Sequence, residues 1–128
     1  MSSLFTPYKL GPVTLRNRTI RSAAFESMGR HFGPTQQLKE YHVSVARGGV
    51  GMTTLAYAAV CRSGLSFNKQ LWLRPEIVPG LREITDAVHR EGAAAAIQIG
   101  HCGNMTHWTT AGQMPIGAST GFNLYAYT

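Results

Sequence analysis

The sequence predicts a parallel α/β architecture, and three observations carry that prediction. Segments of strand character alternate with segments of helical period along the chain. Turns leading from helix to strand are short and glycine-marked, whereas the loops that follow strands are long. The middle strand segment, Val50-Gly51-Met52-Thr53-Thr54-Leu55-Ala56, carries no charge, as befits a strand covered on both faces.

Each element has a local reason. Leu10 to Leu15 with Arg16-Asn17-Arg18 reads as a short extended piece and turn, after which Thr19 to Phe25 forms a first strand. The loop Glu26 to Pro34 follows, and Thr35 stands where an N-cap belongs. From Gln36 to Arg47, Leu38, Tyr41 and Val45, and less cleanly Val43 and Ala46, share one side at helical spacing. Gly48-Gly49 ends that helix, since glycine readily adopts the left-handed conformation at a helix C-terminus. Val50 to Ala56 is the second strand. A loop from Tyr57 to Trp72 leads to Arg74-Pro75-Glu76, which opens a second helical region interrupted at its start by Pro79-Gly80. Leu81, Ile84, Thr85 and Val88 continue it at helical period, and Gly92 stops it. Ala93 to Gly100 follows a helix stop and ends in Ile-Gln-Ile-Gly, which makes it a third strand despite its alanines.

Composition narrows the class. The chain has 128 residues, 44% of them apolar and 14% charged, which excludes intrinsic disorder and favours one domain. No window approaches the roughly 18 apolar residues of a membrane-spanning helix, so no membrane partner is expected. The net charge is +6, but the basic residues are dispersed rather than clustered, which argues against nucleic acid as a partner. Two cysteines are too few for a disulfide scaffold and no secretory leader pattern opens the chain, so a cytoplasmic setting is expected. The triplets Asn17-Arg18-Thr19 and Asn104-Met105-Thr106 are then chance matches to a glycosylation signal.

The long loops, Phe25 to Pro34, Tyr57 to Arg74 and Gly100 to Thr128, all follow strands, the side on which α/β barrels build their sites. Three parallel strands cannot close a barrel, and a complete one needs about 250 residues. The expected fold is therefore a partial (β/α)8 barrel: the first three parallel strands with intervening helices. Residues 1–128 would be part of a single domain, ending within the loop after the third strand.

Individual motifs are mostly bland. Gly48-Gly49-Val50-Gly51 follows a helix and opens a strand, the reverse of a dinucleotide-binding fingerprint. His101, Cys102 and His107, with Cys61 or His31, fit no zinc spacing, so no metal is expected. Cys102 beside His101 does not make a nucleophilic pair, because neighbours on an extended chain point to opposite faces. Gln98 stands out: a primary amide near the end of a buried strand needs partners for two donors and an acceptor, which a planar heterocycle or neighbouring backbone and water would supply. Phe25, Tyr57, Trp72 and Trp108 lie in loops after strands, where aromatics either line a flat ligand or pack the loop.

Taken together, Leu4-Phe5-Thr6-Pro7 with Leu10-Gly11, Leu15-Arg16-Asn17-Arg18, Gly48-Gly49-Val50-Gly51, Arg74-Pro75, Gly80-Leu81 and Gln98-Ile99-Gly100-His101-Cys102-Gly103 resemble the N-terminal third of the old yellow enzyme family, in order and to about Thr120. The resemblance implies a TIM barrel with FMN at the mouth of its strands, NADH or NADPH as reductant, and an electron-poor alkene or enone as hydride acceptor. It implies that Ser22, Ala23, Ala24 and Phe25 run along the isoalloxazine, that Ala56 or Tyr57 meets the pyrimidine edge, and that Gln98 bonds the pyrimidine. Ala23 and Phe25 depart from the family's proline and small or polar residue, Tyr57 is large for its place, and Asn104 replaces an arginine. His101 is expected to orient its loop by a hydrogen bond. The family's catalytic residues and phosphate site come from later strands, so no catalytic residue is expected here. The partners implied are a small-molecule substrate and either further copies of the chain or a complementary C-terminal barrel portion. The rival expectation is a non-catalytic α/β assembly module whose open strand edges pair with another chain.

Overall fold

A computed structural model describes residues 3–119, 121, 123 and 124. A hairpin comes first, β1 (Tyr8–Leu10) paired antiparallel with β2 (Val13–Leu15), with Gly11 at φ +56° in its turn. The main sheet follows: β3 (Ile20–Arg21), β4 (Met52–Ala59), β5 (Leu71–Trp72) and β6 (Ala94–Gly100). Helix α1 (Gln36–Arg47) lies between β3 and β4, α2 (Val78–Arg90) between β5 and β6, and a short α3 (Trp108–Ala111) follows β6. Every pairing in the main sheet is parallel, with β4 central and β3 and β6 on opposite sides of it. Parallel βα units of this kind are the predicted architecture.

The helices form one layer over the sheet. Leu38 and Ala46 of α1, Leu55 and Ala58 of β4, Leu71, and Ile84 and Val88 of α2 make a single apolar cluster. Thr35 caps α1 as expected: its Oγ1 accepts the Leu38 amide at 3.1 Å and donates to Met28 O at 2.6 Å. The buried side of α1 differs from the periodic reading, however. Leu38, His42 and Ala46 are buried, while Tyr41 and Val45 are only half-buried. Pro79-Gly80 does not interrupt α2 but lies in its first turn, where proline lacks no needed bond and Gly80 lets Pro34 approach. A Cβ at Gly80 would come within 2.6 Å of Pro34 Cγ.

Two strand boundaries also differ from expectation. The first strand is Ile20–Arg21 rather than Thr19 to Phe25, because Arg21 Nη1 donates to Thr54 O at 2.6 Å and so occupies an acceptor that a longer strand would pair. Further along the same edge of β4, β5 pairs with Ala58 and Ala59 inside what reads as a loop. The second strand runs on to Ala59 rather than stopping at Ala56, because a bulge lets its ladder resume.

The amino-terminal side of the sheet explains two sequence motifs at once. Arg16 Nε donates to Val50 O at 3.0 Å, Nη1 to Glu91 O at 2.8 Å, and Nη2 to Ala46 O, so one guanidinium gathers the ends of α1 and α2 and the start of β4. Asn17 Nδ2 donates to Gly49 O at 2.7 Å. Gly49 takes φ +97°, and a Cβ at Gly51 would stand 2.6 Å from Asn17 O. Leu15-Arg16-Asn17-Arg18 and Gly48-Gly49-Val50-Gly51 therefore fit one another.

A polar chain crosses the layer between helix and sheet. His42, fully buried, places Nδ1 2.8 Å from Thr53 Oγ1 and Nε2 3.3 Å from Glu26 Oε1. Glu26, whose side chain is 5% exposed, also accepts from Arg21 Nη1 at 2.8 Å. Burial alone would raise the Glu26 carboxyl, but the His42 imidazole beside it, a hydrogen bond from its own backbone amide, and the charge of Arg21 together hold it below the ordinary carboxylate value.

Two outcomes follow from these contacts. Arg16→Met should lower stability by about 2–4 kcal/mol in urea unfolding, since it strips a charged donor from three carbonyls. A carboxyl held low in the folded state contributes stability that is complete above its unfolded value, about 4.3, and is lost as pH falls through the lower folded value. The urea midpoint should therefore fall more steeply with acidification below about pH 4.3 in the wild type than in Glu26→Gln.

Candidate functional site

The carboxyl ends of β3, β4 and β6 meet on one side of the sheet, and the five residues singled out in the sequence lie there. Ala23 is half-buried and Ala24 exposed, in the extension that follows β3, where Ala24 O accepts Arg21 Nη2 at 3.1 Å. Phe25 stacks on Phe67 with centroids 4.8 Å apart and meets Tyr57 edge-on at 5.6 Å. Tyr57 and Phe67 also meet edge-on, at 6.3 Å. Phe25 and Tyr57 thus join a third ring, Phe67, to form an aromatic wall.

Beside that wall the sheet is irregular. Leu55 pairs with Ile97 and Ala58 with Ile99, so Ala56 and Tyr57 together oppose Gln98 alone. This is a bulge in a parallel pair, where bulges are rare. It restores the alternation: Ala58 returns to the helix-facing side with Leu55, which an unbroken strand would not allow. Tyr57 sits at φ +53°, a left-handed conformation that costs a non-glycine residue about 1–2 kcal/mol. Side chains take the two amides of the bulge. Glu26 Oε2 accepts the Ala56 amide at 3.3 Å, and Gln98 Oε1 lies 3.5 Å from the Tyr57 amide nitrogen.

Gln98 is exposed, not buried as its strand sequence suggests: the last four residues of β6 are all exposed. Its amide nitrogen has no hydrogen-bond partner among the described residues. It borders a cleft of about 190 Å³ that is also lined by Tyr57, Gln70, His101 and Cys102. A complete small-molecule pocket holds about 300–1,000 Å³, more than this cleft provides.

The floor of the cleft is fixed by residues with little signature in the sequence. Gln70 is buried; its Oε1 accepts the Ser66 amide at 2.8 Å and the Phe67 amide at 3.3 Å, and its Nε2 lies 3.7 Å from Cys102 Sγ. Nothing in Asn68-Lys69-Gln70 marks it out, because its role depends on a loop folding back on itself. Glu26 had a weak signal, as the only acidic residue in the first 39 of a chain with six. His101 orients its loop: Nδ1 accepts the Gly103 amide at 2.9 Å, which leaves the proton on Nε2, 3.2 Å from Ser63 Oγ. The His101 ring packs so closely on Gly64 that a Cβ there would stand 2.9 Å away. Trp72 belongs to another clamp, under the Arg74 guanidinium at 4.9 Å, and Trp108 is half-exposed on α3. Among the described residues no three His, Cys, Asp or Glu side chains gather to hold a metal.

A flavin fits this donor set at its ring and not at its tail. The Gln98 amide offers an unpaired donor next to an acceptor, matching the alternating groups of a pyrimidine edge, and Phe25, Tyr57 and Phe67 supply flat apolar surface.

Comparison with known proteins bears on the family and the fold. The chain is 48% identical over 101 residues to the 4,4'-dithiodibutanoate disulfide reductase of Rhodococcus erythropolis, covering 79% of this chain and 25% of that protein. It is 44% identical over 115 residues to a probable N-methylproline demethylase of Rhizobium meliloti, covering 88% of this chain and 17% of that one. The chain thus spans a quarter or less of these relatives, at their N-terminal part. In fold it is similar to the old yellow enzyme homologue of Zymomonas mobilis, with a TM-score of 0.86 at 24% identity over 94% of this chain and 34% of that one. That likeness makes the three βα units part of a TIM barrel, as the loop asymmetry predicts. The model of the NADH:flavin oxidoreductase / NADH oxidase family matches residues 3–126, and the chain belongs to that family.

Proposed function

We propose that the protein is an FMN-dependent oxidoreductase that takes reducing equivalents from NADH or NADPH, and that this chain forms the N-terminal part of its single flavin-binding barrel domain. The observation that carries the reading is the exposed Gln98 amide set against the bulged Tyr57 backbone at the mouth of the strands. Gln98 would hold the pyrimidine edge, the Ala23–Phe25 backbone would run along the ring, and the aromatic wall with Tyr57 would keep water from one side. The bound flavin supplies hydride transfer. The residues of this chain bind and orient; none of them is assigned a proton-transfer step. Cys61 and Cys102 are both free thiols, which suits a reducing cytoplasmic compartment.

An activated alkene or enone is the proposed acceptor. A disulfide is a second reading, favoured by the 48% identity to a disulfide reductase.

FMN titration of the protein in its full encoded length should quench flavin fluorescence saturably, and Gln98→Ala should weaken binding about tenfold, the worth of one or two hydrogen bonds. Absence of saturable quenching would end the proposal. With NADPH or NADH as donor, consumption stimulated by 2-cyclohexenone identifies the alkene reading. Stimulation by 4,4'-dithiodibutanoate alone identifies the disulfide reading.

A further inference from the structure

We propose that Glu26 is the positioning residue for the flavin-edge contact: by holding the Ala56 amide it fixes the bulge against which Gln98 is aligned. The inference deepens the flavin reading above and rests on it.

The carboxylate joins three elements at one point. Its Oε1 accepts from Arg21 Nη1 at 2.8 Å, on β3, and lies 3.3 Å from His42 Nε2, on α1. Its Oε2 accepts the Ala56 amide at 3.3 Å, on β4. Both partners are themselves fixed. Arg21 also donates to Thr54 O at 2.6 Å, two residues before the bulge, and to Ala24 O at 3.1 Å, in the segment expected along the ring. His42 is held through Nδ1 by Thr53 Oγ1 at 2.8 Å. The cluster therefore grips β4 at Thr53, Thr54 and Ala56 in succession, immediately before Tyr57.

Tyr57 requires such a grip. Its φ of +53° is a conformation that non-glycine residues keep only when the surroundings enforce it. A bulge also removes its amides from the ladder, and an amide without an acceptor would turn the backbone toward one. Glu26 satisfies the first amide and Gln98 the second, so the Gln98 oxygen is oriented by the protein and its nitrogen is left without a partner among the described residues, in a side chain that borders the cleft. Without Glu26 the Ala56–Tyr57 backbone is released, and Gln98 loses the partner that sets its amide plane. Glu26 needs no contact with the flavin to act in this way.

The test combines a double-mutant cycle with a readout that needs no flavin. FMN affinity is measured by fluorescence quenching for wild type, E26A, E26Q, Q98A and E26A/Q98A in the full encoded protein. Backbone amide exchange is followed without flavin at Ala56 and Tyr57, with Ala94 to Ile97 on β6 as the internal reference. E26A should weaken FMN about tenfold, and E26A/Q98A should bind no more weakly than Q98A, since Glu26 acts through Gln98. Exchange at Ala56 and Tyr57 should accelerate in E26A while the β6 reference stays protected. Additive losses in the double variant, or unchanged exchange at both amides, would overturn the proposal. If E26A does not fold, E26Q decides: its volume is the same but its NH₂ opposes Arg21, so faster exchange at the bulge with weaker FMN binding supports the proposal. Wild-type values for both would sink it. Failure of the wild type to bind FMN overturns the flavin reading itself, and the exchange data then judge the hold of Glu26 on the bulge separately.

Discussion

Every backbone amide removed from water must find an acceptor, and β4 meets that constraint under difficult conditions. It is the central strand, bordered by β3 and β5 on one edge and β6 on the other, yet it carries an extra residue midway. Two of its amides consequently look outside the ladder for partners. The solution recruits a carboxylate from the loop after β3 and an amide side chain from β6, which ties three consecutive βα units together at one level of the sheet. The aromatic wall, the cleft and the direction of Gln98 all depend on that arrangement.

The same constraint accounts for the charge buried beneath it. A carboxylate enclosed between helix and sheet would be costly alone; Arg21, His42 and two peptide amides make it tolerable. Placing an acid there rather than a hydroxyl gives two oxygens, enough to serve the guanidinium and the strand amide together. Structure and site are thus served by one side chain, which is why a residue with no place at the cleft surface still shapes it.

Much of this was legible in the sequence because it depends on local chemistry. Thr35 as cap, Gly49 at the helix stop and the uncharged β4 run each report their own conformation. Gln98 was legible too, as an amide at an awkward place. What escaped depends on pairing across long separations. The shortening of β3 requires knowing that Arg21 reaches Thr54, the short strand β5 requires the free edge this leaves, and His42 on the buried side of α1 requires Thr53 and Glu26 opposite it. Hydrophobic period sees none of these, because each exchanges an apolar neighbour for a polar one.

Arg16 has a temporal consequence. Its three acceptors lie 30, 34 and 75 positions away along the chain, so the hairpin beside it gains the last of its three anchors only after α2 has been completed. Closing so large a loop is entropically slow, and contacts of this range are made late. During synthesis the hairpin therefore meets Ala46 and Val50 first, and the Arg16 clamp closes fully only when Glu91 has followed.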